Sequence, residues 1–484
     1  MTIENILSPK SLRELGLVRF LIKNGPTHST IIQKKLNYNG ATLYRDIDQL
    51  NGIIEPAQII KRKSIALSIP TNLNNRYIFS RIMHNSSEFS LIEEIFFNEH
   101  HSLQSLSDKL FLSQSTVKRM IKKINSILKL YDIVITSFPI KITGTEKNVC
   151  NLIIRIFEEK YPNHNFPFKK EISYALDKII SQNLKKESLH LNYPDIEQAK
   201  LMISVIMKRM QNGNSKILTN FNLPEIYWDS LNKPFYKRIF KSVFQIDLTK
   251  QNISYLFYPF FRNRFALDFK QLSQLQNEFP EVKKILINFK KLINNIAIYY
   301  SIEIENENDL IFHLYNTNEL TLTFSHIIYN KSKEFLDTLT EYNEEFIIYM
   351  NKNLVQLGIE KNKQNGDIYA LPYILVTHWK NLAIQLQKSK PKILVGLLFD
   401  SDIEHMLFIK DLLSNKFAYQ LDLILIEHLQ IKKIEKKIGK LDLIVTNIPE
   451  LSINFHEIIC TSMYPSPSDL YKIEQRYQAI VSTK

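Results

Sequence analysis

In the first 150 residues, apolar positions recur every three or four residues in short runs divided by polar turns, the spacing of amphipathic helices. Twice this rhythm gives way to a brief β-rich stretch. Leu12 to Lys23 and Ser29 to Leu36 are predicted helices, Asn37 to Asn39 a turn, and GATLYRDIDQL, from Gly40 to Leu50, a third helix with Leu43, Ile47 and Leu50 facing inward. A hairpin is expected over Ile59 to Ile69, with Lys61, Arg62 and Lys63 near its tip. The plan then repeats more clearly. Phe89 to Asn98 has helical spacing, and Ser102 is placed to cap Leu103 to Leu110, which keeps Leu103, Leu106 and Leu110 on one face. After the turn Phe111, Leu112, Ser113, a helix capped by Ser113 runs to about Lys129, with Val117, Ile121, Ile124 and Leu128 as its buried stripe. Two β-rich runs, Ile133 to Thr136 and Ile140 to Thr143, then flank a Ser-Phe-Pro turn.

Two short helices joined by a tight turn, the second polar at its start and basic along one side, with a hairpin after it, make a winged helix-turn-helix. In the second unit Gln114, Ser115 and Thr116 are placed to approach base edges, and Lys118, Arg119, Lys122 and Lys123 to neutralise phosphates. In the first, Thr42, Tyr44 and Arg45 face DNA together with Lys61, Arg62 and Lys63, while Asp46 and Asp48 reduce that helix's positive charge. A basic amphipathic helix standing alone is more often just a solvated face. The turn before it and the hairpin after it turn the reading towards duplex DNA.

From about Pro167 to Gln387 the pattern is again mostly helical, as in IEQAKLMISVIMKRM (Ile196 to Met210) and VKKILINFKKLINNIAIYY (Val282 to Tyr300). Breaks at Asn212-Gly213, Asn222 to Pro224, Lys233-Pro234, Pro280 and Glu303 to Asp309 suit two helical bundles meeting near Pro280. The last 90 or so residues change character. Strand-like runs at Ile393 to Phe399, Tyr419 to Glu427, Leu441 to Ile448 and Ile453 to Thr461 alternate with helical stretches at Asp402 to Leu413, Ile431 to Lys437 and Ser468 to Ile480. That alternation predicts a small α/β domain with a largely parallel sheet. The fold class expected is therefore multidomain and mainly α, with an α/β domain last.

Composition narrows what such a chain does. Its 484 residues exceed one core, and 44% hydrophobic with 23% charged residues is the balance of a folded protein. The longest apolar run, Ile393 to Phe399, is strand-sized, and the start MTIENILSPKSLRELG lacks the basic, apolar and small-residue regions of a signal peptide. A cytoplasmic protein with no membrane partner is expected. Cys150 and Cys460 are too far apart in sequence to suggest a disulfide framework or a zinc site, and no glycine-rich phosphate loop occurs, so neither a metal nor a cofactor is expected. The adjacent pair His100-His101 lacks a supporting Cys or carboxylate cluster and reads as solvated loop histidines. Of the net charge of +13, residues 1 to 150 hold +8, from 20 Lys or Arg against 12 Asp or Glu. The excess lies where the helix-turn-helix pattern lies, which favours a nucleic-acid partner.

The string LSDKLFLSQSTVKRMIKKINSIL, followed by IVITSFPIKITGTEKNVCNLIIRIFEE, resembles the second helix-turn-helix of the Mga/AtxA family of virulence and global regulators of Gram-positive bacteria. The "SxST", the Arg three residues after its Thr, the later "IN" and the closing "ITGTE" stand in register. The resemblance implies five domains: winged helix-turn-helix units over 1–75 and 76–162, helical phosphotransferase-regulation domains (PRDs) over 163–280 and 281–390, and a domain over 391–484 like the EIIB component of the sugar phosphotransferase system. It implies a transcriptional regulator, not an enzyme, that binds double-stranded DNA and self-associates through its last domain. PRDs are controlled by histidine phosphorylation, which makes His190, His313, His326 and His378 candidate acceptors and phosphotransferase-system phosphocarriers candidate partners; a hydrogen-bonded core histidine is the plain alternative for each.

EIIB domains use a cysteine in the loop after their first strand. Here that loop reads FDSDIEH, Phe399 to His405, and contains none, so binding rather than phosphoryl transfer is expected of it. Cys460 is expected to be a small buried core residue. Two other classes stay open at this level: an RNA-binding antiterminator, which would begin with a small β-rich domain, and a phosphotransferase component, which the missing cysteine disfavours.

Overall fold

The computed structural model describes the chain apart from residues 1, 100–101, 184–192, 215–227, 230, 257–265, 267, 320–322, 360–367, 427–439, 452, 454, 456 and 484, with backbone alone at 181–183, 193–195 and 482–483. His100, His101, His190, the break at Asn222 to Pro224 and the expected helix at Ile431 to Lys437 lie outside the described residues.

Local chemistry sets the first helices. Pro9 begins α1 (Pro9–Asn24) behind the N-cap Ser8, whose side chain accepts the Ser11 N–H. After α2 (Ser29–Leu36), Asn37 turns the chain in the left-handed region and Asn39 caps α3 (Gly40–Ile54). Strands β1 (Gln58–Lys61) and β2 (Ile65–Ser68) pair as an antiparallel hairpin. Helices α4 (Asn75–Asn85) and α5 (Ser87–Phe97) lead to α6 (Leu103–Leu110) and α7 (Gln114–Leu128), capped by Ser102 and Ser113 as their positions predict. A second hairpin, β3 (Ile133–Ile135) with β4 (Ile142–Gly144), precedes α8 (Glu146–Lys160). The expected strand start at Ile140 moves to Ile142. Helices α9 (Lys170–Asn183) and α10 (Tyr193–Gln211) follow.

These elements belong to one compact unit, Met1–Phe289 with Ile311–Leu375, which shares a continuous apolar core from Ile3 to Ile328. Its later helices include Phe269–Glu278 and Lys331–Gln356. The helix break expected at Pro280 is present, with Pro280 opening the helix Pro280–Tyr300; the boundary between compact units lies inside that helix. The second unit is Lys290–Leu310 with Val376–Lys484. It contains a four-stranded parallel sheet, ordered β6-β5-β7-β8, from β5 (Ile393–Leu398), β6 (Leu421–Leu425), β7 (Leu443–Thr446) and β8 (Ile458–Cys460). Cys460 corrects the sequence-based expectation: it is exposed. β8 is an edge strand whose Ile459 points into one apolar cluster and whose Ile458 packs against the cluster on the other face, while Cys460, last in the strand, is left exposed at its end.

No described helix is long and apolar enough to cross a membrane, and no described group of His, Cys, Asp and Glu is arranged to hold a metal ion.

Candidate nucleic-acid interface

The two helix-turn-helix units coincide position by position. N-caps Asn39 and Ser113, left-handed turn residues Asn37 and Phe111, and buried core residues Leu43 and Val117 are each 74 residues apart, by subtraction of their numbers. A further pair at that spacing explains how each hairpin is held. The Asn51 side chain accepts the Ile59 N–H at 2.7 Å and donates to the Ile59 carbonyl at 3.1 Å, and Asn125 does the same to Ile135 at 2.8 Å in both directions. One amide thus closes a strand edge onto the third helix of each unit, satisfying two backbone groups that burial would otherwise leave unpaired. In the sequence this asparagine shows only as the "IN" of a matching string, with no sign of its partner.

On α7 the apolar stripe behaves as its spacing predicts: Val117, Ile121, Ile124 and Leu128 are buried. The opposite face presents Gln114, Ser115, Lys118, Arg119 and Lys122, all exposed, with Thr116 half-buried. Ser113 Oγ caps the Thr116 N–H at 3.2 Å and contacts the hydroxyls of Ser115 and Thr116 at 2.9 Å. Gln114 is tied to the Gln104 side chain across the turn. Lys118, Arg119 and Lys122 form no ion pair among the described residues, so three cations stand side by side with their charge uncompensated. Lys123 differs from the role expected of it. Half-buried, it donates its ammonium to the Leu7 carbonyl and so ties α7 to the chain's first turn.

The first unit brings its residues together with more compensation. Tyr44 and Arg45 are exposed and Thr42 is half-buried. Asp46 lies on the inner face, fully buried and paired with Arg13 at 3.3 Å, so it does not oppose the outer charge as the sequence suggested. Asp48 does, through an ion pair to Lys61, whose ammonium also lies 6.0 Å from the Tyr44 ring centre. Arg62 and Lys63 are left exposed at the hairpin tip.

The "GTE" closing the second hairpin performs three tasks. Gly144 has φ of 145°, and a Cβ there would overlap the Asp132 carbonyl. Thr145 donates its N–H to the Asp132 carboxylate at 3.2 Å and binds it again through its hydroxyl. Glu146 receives Arg209 of α10 in a fork, Nε to Oε1 at 2.6 Å and Nη2 to Oε2 at 2.7 Å. Arg209 is among the largest fully buried side chains; its Nη1 also binds Glu99 and, at 3.1 Å, the carbonyl of Ile142 in β4.

A second set of contacts holds α8 from the far side of the sequence. Asn148 accepts the Thr323 hydroxyl at 2.6 Å, Asn151 accepts the Phe324 N–H at 2.6 Å, and Arg155 donates to the Phe324 carbonyl at 3.3 Å. Glu159 accepts three successive backbone N–H groups, from Ile327 and, at 2.8 and 2.9 Å, from Ile328 and Tyr329. Its burial pushes the carboxyl up to about 7, against the opposing pull of those donors and of Arg155. Arg19 of α1 takes the Ile328 carbonyl at 2.6 Å.

Three of the candidate histidines lie among the described residues. His326 lies within this 323–330 segment, half-buried, its Nδ1 2.7 Å from Ser325 Oγ and 3.3 Å from Asn330 Nδ2. His313 lies in the middle of the helix Glu307–Glu319 and its ring meets Phe312 edge-on at 5.2 Å. His378 closes the helix Ala370–His378, with Nδ1 2.9 Å from Thr377 Oγ1 and its carbonyl accepting from Asn306 at 2.9 Å. In the loop after β5, Asp402 caps the next helix by accepting the His405 N–H at 2.8 Å, and Ser401 Oγ lies 2.8 Å from the His405 ring.

Residues 71–157, which contain α6, α7 and the second hairpin, match the Mga helix-turn-helix domain. The chain is 23% identical over 456 residues, 92% of each sequence, to a candidate trans-acting regulator of Streptococcus pneumoniae serotype 4. It is 23% identical, over 86% of each sequence, to the anthrax toxin expression trans-acting positive regulator of Bacillus anthracis. With the capsule synthesis positive regulator AcpA of the same organism it shares 22% identity over 49% of each.

Proposed function

We infer that this chain, a member of the Mga/AtxA family of trans-acting regulators, is a transcriptional regulator that holds duplex DNA through its second helix-turn-helix, with the first as an auxiliary contact. The observation that carries this reading is the row Lys118, Arg119 and Lys122 on the outer face of a helix whose first turn offers Ser115. Short hydroxyl side chains suit base edges, and cations without a carboxylate partner suit phosphates. Changing the three cations to alanine should flatten the slope of log affinity against log salt for a mixed-sequence duplex by about 0.9 per lost contact. Lys123→Ala should leave that slope unchanged, since its ammonium is engaged by Leu7. Equal slopes for the triple variant and the wild type would sink the assignment.

The rest of the chain fits regulation around that contact. PRD-like domains at 163–280 and 281–390, an EIIB-like domain at 391–484 serving self-association, and phosphocarrier partners of the phosphotransferase system complete the proposal, with the cytoplasm as the site of action. By analogy with the relatives named as positive regulators of toxin and capsule production, the controlled genes belong to virulence. Phosphorylation adds a dianion to a compact ring. At His326 that charge would fall beside the backbone that holds Glu159, whereas at His313 it would fall within a helix. His326→Asp is therefore expected to alter reporter transcription more than His313→Asp. Identical output from both variants and wild type would leave them as packing residues.

A further inference from the structure

The internal repeat allows the two hairpin tips to be compared at matched positions. Ile59 and Ile135, each bound by the equivalent asparagine, set the register, so Lys61, Arg62 and Lys63 correspond to Ser137, Phe138 and Pro139. Where the first wing ends in three cations, the second ends in an uncharged triplet whose central ring is 98% exposed. An aromatic ring also stands out in the turn before α7. Asn37, a residue type tolerant of the left-handed region, is replaced by Phe111 with φ of 53°, 94% exposed. Elsewhere in this hairpin apolar side chains go inward: Ile133, Ile135, Ile140 and Ile142 are buried.

The tip is also held firmly. The Thr136 N–H donates to the Lys141 carbonyl at 2.9 Å, its hydroxyl binds the Pro139 carbonyl, and the Lys141 N–H returns to that hydroxyl at 3.3 Å. Phe138 is thus presented on a pinned turn rather than a loose loop, at the tip of the hairpin that Asn125 of α7 holds at Ile135. A lone exposed phenylalanine needs no explanation in general. One fixed at the end of a wing, in the same unit as the exposed Lys118, Arg119 and Lys122, at the position where the sister unit carries arginine, meets the requirements of an apolar wedge for DNA.

We propose that Phe138 inserts between base pairs in the minor groove flanking the major groove occupied by α7, opening a deformable pyrimidine–purine step and kinking the duplex. The inference rests on the DNA-binding reading above. The first wing, with Arg62 at the same position, grips phosphates without unstacking; the second senses how readily the sequence bends. Selectivity then arises in part from deformability, at base pairs that no polar side chain of this unit contacts.

The test is single-molecule stretching of a several-kilobase mixed-sequence duplex with the full-length chain. At saturation, wild type should lower the apparent persistence length from the bare value of about 50 nm. Phe138→Ala, at equal occupancy measured on a labelled chain, should leave it near that value, and Phe138→Trp should restore the softening. Softening by Phe138→Ala equal to wild type would overturn the wedge while leaving DNA binding intact. So would occupancy by wild type without softening. Absence of wild-type occupancy would instead refute the DNA-binding reading itself. Loss of self-association in Phe138→Ala by sedimentation, with DNA mechanics unchanged, would assign the ring to a protein interface and likewise overturn the proposal.

Discussion

Arg209→Met is expected to loosen the second hairpin and the start of α8 by about 3–5 kcal/mol, the usual cost of removing one partner from a buried ion cluster. The side chains of Arg209, Glu99 and Glu146 are respectively 1%, 2% and 9% exposed, so the two carboxylates left behind would have little water to turn to. The loss would be felt at the wing directly, because Arg209 also carries the Ile142 carbonyl. Hydrogen exchange in the full-length chain should quicken by roughly two to four decades over residues 133–160 in this variant. The triple change Arg209→Met with Glu99→Gln and Glu146→Gln should recover much of the protection, since it removes the stranded charges. Unchanged protection in the single variant would show that the cluster contributes nothing to holding the hairpin.

The second large effect is expected at Glu159. Alanine there would strand three successive backbone N–H groups in an apolar setting, each costing about 1–3 kcal/mol if left unpaired. Glutamine keeps an acceptor oxygen and should cost far less. The same residue makes a pH prediction. Folded Glu159 holds its proton up to about 7, while the unfolded group releases it near its ordinary value of about 4.3. The folded state therefore binds more protons across that window. The stability gained in this way is fully present below about 4.3 and is lost as pH rises through about 7. Protection of residues 323–330 and α8 should fall between pH 5 and 7 in the wild type, and Glu159→Gln should remove this group's share of that fall. A slope identical in both proteins would exclude Glu159 as its source.

Much of the DNA-facing unit was readable from residues alone, because helices announce themselves locally. The stripe at Val117, Ile121, Ile124 and Leu128, and caps such as Ser102 and Ser113, depend on neighbours three or four positions away, which a sequence displays directly. Lys123 misled because spacing gives the direction of a side chain and not its partner; the Leu7 carbonyl that holds it is 116 positions distant. Asp46 misled for the same reason, its partner Arg13 being on another helix. Cys460 reads as inward because it stands in a β-rich run, but its exposure follows from its place at the end of an edge strand, which the run itself does not display. Phe138 had one local sign, an aromatic between Ser and Pro and outside any stripe. The contacts of 323–330 with α8 had none, as they run through backbone N–H groups that every sequence possesses.

The separation of Ile327 from Glu159, 168 residues, has a consequence in time. At roughly 5–20 residues per second of synthesis, the helix bearing Glu159 is made about 8–35 s before the amides that cap its carboxylate. For that interval a nascent chain can complete both helix-turn-helix units while Asn148, Asn151 and Glu159 still face water. A fragment ending before residue 320 would remain permanently in that unfinished condition. It would lack the fastener of α8, the helix that follows the second wing, and so would underreport the firmness with which the finished protein presents that wing.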